Sequence, residues 1–184
     1  MTNALKSLAV IAALSISSAW AVGIGESVGN LRATDSQGTA HALASHEGKT
    51  VVFVFWGSRC PSSQAYAERL AKLARESGVV FYGVASNAGE TAQDVQAAKG
   101  KQGLPFPILM DGSKTLQKTL GAGVTPTACV VDGKGILRYR GAIDDDPGGK
   151  RDTPERYLAQ AIQAVKAGRA PDPASTRPRG VRID

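Results

Sequence analysis

Apolar and polar positions along this chain change period several times, and each change marks an element. Residues 51–56, Val-Val-Phe-Val-Phe-Trp, form an unbroken β-branched and aromatic run, the pattern of a central strand buried on both faces. From 62 to 77, Tyr66, Leu70, Leu73 and Ala74 recur at helical spacing. Pro61 suits the first helical position, where its missing N–H costs nothing, and Gly78 is a stop signal. Residues 79–85 read as a second two-sided strand. Strand, helix and strand then make a βαβ unit with parallel strands and a right-handed crossover.

Downstream, Asn87 is a candidate cap for a polar helix over 90–99, ended by Gly103-Leu104-Pro105-Phe106-Pro107 before a short strand at 108–110. A short helix between Asp111 and Gly121 carries Leu116 and Leu120 on one face. Thr125-Pro126 leads into a strand at 127–131, and Asp132-Gly133-Lys134-Gly135 turns it into 136–139, an antiparallel hairpin. The last predicted helix has Thr153 as its cap and Pro154 at its first position; Leu158, Ala161, Ile162 and Val165 form its stripe, and Gly168 ends it. Residues 23–49, rich in Gly, Ser, Thr and Asp, predict a short hairpin or an extended lead-in. No segment repeats.

Both ends depart from this pattern. Lys6, the apolar stretch 8–18 and Ala19-Trp20-Ala21 have the layout of a cleavable secretory signal, residues 1–21. The stretch falls short of the ~20 apolar residues of a membrane span, so the expectation is a periplasmic or secreted chain with no membrane anchor after cleavage. Residues 22–168 suffice for one domain with a hydrophobic core. Beyond them, Pro171, Pro173 and Pro178 with Arg177, Arg179 and Arg182 predict an extended, flexible tail over 169–184 with little core potential. The net charge of +6 is mild, and the aromatic residues, 5% of the chain, do not interleave with basic ones, which argues against a nucleic-acid face.

The chemistry of the chain centres on Cys60. An apolar strand delivers this thiol to the first turn of a helix, where exposed N–H groups and the helix dipole favour a thiolate. Arg59 adds a cation beside it. The other cysteine, Cys129, lies within the apolar run Thr127-Ala128-Cys129-Val130-Val131, where it reads most simply as a small hydrophobe. In an exported protein the pair also has the option of a disulfide, with Cys129 as a resolving thiol. Three residues after Cys60 stands Ser63, which can hydrogen-bond a thiolate but cannot resolve a mixed disulfide.

In this order the elements resemble the thioredoxin fold, and more narrowly the redoxin or alkyl-hydroperoxide-reductase/thiol-specific-antioxidant family. The resemblance rests on Phe55-Trp56-Gly57-Ser58-Arg59-Cys60-Pro61, on Gly123-Val124-Thr125-Pro126-Thr127, and on the run from Leu137 to Asp145. It implies an α/β, thioredoxin-like fold: a central mixed β-sheet, a parallel βαβ unit plus an antiparallel hairpin, flanked by helices. It makes Cys60 the nucleophile and Pro126 the cis proline that sets the Thr125 backbone beside the sulfur, where an extended substrate peptide could pair. Trp56 would wall the site or pack in the core.

Two departures limit the chemistry. Dithiol members of this superfamily carry Cys-x-x-Cys, whereas this chain has Ser63; peroxiredoxins carry Thr or Ser three residues before the attacking cysteine, whereas this chain has Gly57. Exported copper carriers of the same fold need two close thiols and a histidine, but His41 and His46 both lie upstream of the central strand. Asp144-Asp145-Asp146 lacks the alternation of a calcium loop and reads as a turn. No metal or cofactor is expected. The resulting expectation is a lone-cysteine oxidoreductase acting by thiol-disulfide exchange or thiol-dependent peroxide reduction. Its partners would be a thiol or disulfide protein, a small thiol reductant or a peroxide. The competing reading is a non-catalytic module that binds a client in the same groove.

Overall fold

The long apolar run at 51–55 can be buried only if both of its faces are covered, and the fold is built around that requirement. The computed structural model describes residues 21–152 and 154–184. In chain order the elements are β1 (Arg32–Asp35), β2 (Ala40–Ala42), β3 (Val51–Phe55), α1 (Pro61–Ala65), α2 (Ala67–Glu76), β4 (Val80–Ala85) and α3 (Ala92–Lys101). Then follow β5 (Ile108–Met110), α4 (Thr115–Leu120), β6 (Val124–Thr125), β7 (Thr127–Val131), β8 (Leu137–Gly141), α5 (Tyr157–Lys166) and β9 (Val181–Arg182).

Seven strands form one mixed sheet in the order β2-β1-β5-β4-β3-β7-β8. β3 pairs in parallel with β4, and β4 with β5, while β7 and β8 add the antiparallel hairpin on the other side of β3. This is the mixed sheet expected of a thioredoxin-like fold. The alternation along β3 shows why its whole sequence is apolar. Val52 and Val54 enter a cluster with Leu70 of α2, Val95 of α3 and Leu158 and Ile162 of α5. Val51, Phe53 and Phe55 enter a second cluster with Leu116 and Leu120 of α4. The lead-in is a hairpin: β1 pairs antiparallel with β2 and also with β5.

Three predicted boundaries move. The helix expected over 62–77 is divided at Tyr66, whose N–H donates to Ser63 O at 3.2 Å, a tighter turn than an α-helix makes. Tyr66 is held there by its buried hydroxyl, which donates to Asp144 Oδ1 at 2.8 Å, and by the Arg69 guanidinium 4.1 Å above its ring. Arg69 also donates to Asp144 Oδ2 (2.5 Å) and to the Asp146 carbonyl (2.8 Å). The acidic run is therefore a turn clamped by its own backbone and by Arg69. α3 is capped by Thr91 in a reciprocal box with Asp94 rather than by Asn87, which is engaged elsewhere. α5 begins at Tyr157, after Pro154. The expected Thr153 cap and residues 1–20 of the expected leader lie outside the described residues.

The tail differs most from expectation. Its proline- and arginine-rich sequence is extended, yet it packs on the domain. Pro171 and Ile183 are buried, the Thr176 hydroxyl accepts from Ala142 N (2.9 Å) and bonds the Tyr139 hydroxyl (2.6 Å), and β9 pairs with β6. Composition understates such a segment because a few anchors and backbone pairing to an open edge hold it.

Candidate active site

The carboxyl ends of the parallel strands β3 and β4 meet the start of β7 at one end of the sheet, where ligands of α/β folds collect. Leaving β3, the chain turns through residues 57–60, with Cys60 N donating to Gly57 O at 3.1 Å, and Cys60 becomes the N-cap of α1 with Pro61 at its first position. The predicted placement of Cys60 and Pro61 is therefore observed. Opposite them, the Thr125–Pro126 peptide bond is cis, and the Thr125 carbonyl lies 3.5 Å from Cys60 Sγ.

Ser63 is fully buried beneath the turn. Its Oγ accepts from Gly57 N at 3.2 Å, which leaves the hydroxyl proton free for Cys60. Burial pushes the Cys60 thiol up. Hydrogen bonds from the side chains of Ser63 and Thr125 and from the N–H groups of Ser63 and Ser62 outweigh that cost, and the thiol lies below its ordinary value. Directed donors are the leading stabilisers of this thiolate.

The exposed Arg59 guanidinium donates to the Gly89 carbonyl at 2.8 Å, and the largest influences on the Cys60 thiol are burial and hydrogen bonds rather than this charge. It tethers the cysteine turn to the loop after β4. Trp56 is fully buried in the core cluster with Val52 and Val54 and does not wall the cleft. Cys129 is sequestered on β7, between Phe53 of β3 and Arg140 of β8, with no exposure; burial raises its thiol to about 12. Neither cysteine is in a disulfide.

Two site residues escaped the sequence reading. The Glu90 carboxylate accepts from Ser58 N (2.5 Å) and Ser58 Oγ (2.6 Å) through one oxygen and from Asn87 Nδ2 (3.2 Å) through the other. It locks the cysteine turn to the β4 loop and holds the Asn87 amide over Gly57. A Cβ at Gly57 would fall 2.6 Å from Asn87 Nδ2 and 2.9 Å from Cys60 Cβ. Glycine is required there by close approach. The position of Asn87 just beyond a parallel strand was the available signal; nothing in the sequence marked Glu90.

A cleft of about 370 Å³ opens on Cys60 between Pro61, Asn87 and Thr125, and its far wall is the tail, Val181, Arg182 and Asp184. Among the described residues, no group of three or more His, Cys, Asp or Glu side chains stands together as a metal site, and no helix is long and apolar enough to cross a membrane.

A cysteine at a strand-to-helix turn, facing a cis proline across a mixed sheet, defines a thioredoxin-like protein. Comparison with known proteins agrees and is narrower: residues 23–158 match the redoxin family, and the chain belongs to it. It is 30% identical over 121 residues to the thiol-disulfide oxidoreductase ResA of Geobacillus thermodenitrificans, covering 64% of this chain and 68% of that one. It is 31% identical over 102 residues to the thiol:disulfide interchange protein DsbE of Escherichia coli, covering 55% of this chain and 54% of that one. Among solved structures, a hypothetical protein of Sinorhizobium meliloti superposes with a TM-score of 0.78 at 27% identity, over 89% of this chain and 94% of that one. A secreted disulfide oxidoreductase of Mycobacterium tuberculosis gives 0.53 at 26% identity, over 58% and 79%. The relatives with named activities are thiol-disulfide oxidoreductases.

Proposed function

We propose that this protein is an exported oxidoreductase in which Cys60 acts as a lone nucleophile in thiol-disulfide exchange. The observation that carries the reading is the thiol of Cys60 beside the Thr125 carbonyl with hydrogen-bond donors that favour its ionised form. In the forward step Cys60 Sγ attacks one sulfur of a disulfide R–S–S–R′. The Cys60–S–S–R bond forms, the substrate S–S bond breaks, and R′S⁻ leaves. An external thiolate then attacks the mixed disulfide and releases Cys60 as thiolate. The donors that stabilise that thiolate also make it a good leaving group. With Ser63 in place of a second thiol, and Cys129 buried with its thiol raised to about 12, the resolving thiol comes from outside. Export is supported by the leader-like pattern of residues 1–21 and by the similarity to a secreted oxidoreductase.

Exchange is favoured over peroxide reduction because a hydroxyl-bearing side chain at position 57 is absent and has no room. The test is alkylation of Cys60 by a thiol reagent across pH, paired with turnover of a disulfide and of hydrogen peroxide under added thiol. The expected midpoint lies below that of free cysteine, with turnover of the disulfide exceeding that of peroxide. A midpoint at or above free cysteine overturns the activated nucleophile, and absence of both turnovers leaves a binding module.

A further inference from the structure

The edge on which an extended substrate peptide would pair is already occupied by this chain. β9 runs antiparallel to β6, with Val181 opposite Thr125 and Arg182 opposite Val124. The Thr125 hydroxyl faces the Val181 carbonyl at 3.5 Å, Ile183 N donates to Gly123 O at 3.1 Å, and the Ile183 side chain is buried in the α4-side core. Asp184 accepts from Ala88 N at 3.2 Å and its carbonyl from Lys114 Nζ, so the strand is held on both sides of the cleft. The closest approach falls at Gly180: a Cβ there would overlap the Thr125 carbonyl oxygen and lie 2.7 Å from Thr125 C and 3.1 Å from Pro126 N. Only glycine lets the chain cross the cis-proline peptide at this distance.

We propose that residues 180–184 are the specificity-determining segment of the Cys60 site. They fill the strand-pairing edge as a peptide substrate would, and restrict exchange to compact, low-molecular-weight disulfides. The remaining cleft of about 370 Å³ lies in the small-molecule range. Its lining carries both signs, Arg59 and Arg182 together with Glu90 and Asp184, which matches a zwitterionic disulfide of the cystine type. Polypeptide disulfides, which need the backbone groups of residues 124 and 125, are excluded until β9 detaches. This inference rests on the exchange reading of Cys60.

The experiment compares two probes carrying the same leaving group, cysteine and an extended cysteine-containing peptide, each as the mixed disulfide with thionitrobenzoate. Cys60 thiolate attacks the cysteine sulfur, the new disulfide forms, and thionitrobenzoate is released and read by absorbance. Wild type, Gly180→Val and a chain ending after Arg179 are compared, with near-ultraviolet circular dichroism as the check on folding. Wild type is expected to react with the peptide probe at least tenfold more slowly than with the cysteine probe. Each tail variant is expected to raise the peptide-to-cysteine rate ratio at least tenfold. The truncated chain carries the test should Gly180→Val misfold, and Ile183→Ser, which removes only the anchor, replaces it should both misfold. A Cys60 that reacts with the small probe, but whose ratio is unchanged when the tail is released, overturns the inference alone. A Cys60 inert to both probes in every form overturns the exchange reading and the inference with it.

Discussion

The two cysteines of this chain are both shielded from water, 7% and 0% exposed, yet their surroundings act in opposite directions. Cys60 sits where a strand has just ended, and the unpaired N–H groups of Ser62 and Ser63, with the hydroxyls of Ser63 and Thr125, converge on its sulfur. Cys129 sits in mid-strand, where the backbone groups around it are consumed by pairing with β3 and β8, and the charge of Arg140 only partly offsets the burial that raises its thiol. Burial raises both thiols; only at Cys60 do donors reverse it. Reactivity in this fold comes from where the ladder of hydrogen bonds stops, not from exposure.

The largest expected consequence is in rate. Cys60→Ser should lower disulfide exchange by at least ~10³-fold, because an alcohol at neutral pH does not replace a thiolate nucleophile. Cys129→Ala should leave the rate within about twofold, as stopped-flow release of a chromogenic thiol will show. Equal losses in both variants would break the comparison and point to a Cys60–Cys129 disulfide in the cycle.

A smaller effect appears in stability against pH. The Cys60 thiol is lower in the folded than in the unfolded chain, so between those two values the unfolded state holds more protons and stability rises with pH. Cys129 has the opposite sign. Its folded thiol is raised to about 12, so stability is lost as pH climbs from the ordinary thiol value towards that figure, at up to roughly 1.4 kcal/mol per pH unit. Tyr139 is also raised to about 12, so the readout is the difference between wild type and Cys129→Ala. Denaturant midpoints across alkaline pH should fall less steeply in the variant.

Much of this contrast was legible in the sequence. The unbroken apolar run at 51–56 announced a strand covered on both faces, the run at 127–131 announced another strand, and the Cys60-Pro61 step announced a helix start. These are statements about neighbours in the chain. What escaped was carried by residues far apart in sequence. Glu90 reaches Ser58 across 32 positions, and Arg59 turns to Gly89 rather than to the sulfur one residue away. A one-dimensional pattern places Arg59 near Cys60 but cannot say which acceptor it takes. The tail failed for a related reason. Its composition predicts solvation, whereas its order depends on an edge at 124–125 that exists only once the sheet has formed.

The finest division of the Cys60 environment is between its two hydroxyl donors. Ser63 is the larger contributor and is fully buried, with its acceptor lone pair occupied by Gly57 N, so its proton is already directed at the sulfur. Ser63→Ala should raise the alkylation midpoint of Cys60 and slow exchange at neutral pH by roughly tenfold, as the loss of ~1.5 kcal/mol from one hydrogen bond to a charged acceptor implies. Thr125 has a single proton and two acceptors, Cys60 and the Val181 carbonyl. Thr125→Val should therefore raise the midpoint in the same direction but less, by about twofold in rate. In a chain ending after Arg179, where Val181 no longer competes, the Thr125→Val effect should grow towards that of Ser63→Ala. If it stays the same with and without the tail, the Thr125 hydroxyl is not shared, and the Cys60 donor set is independent of β9.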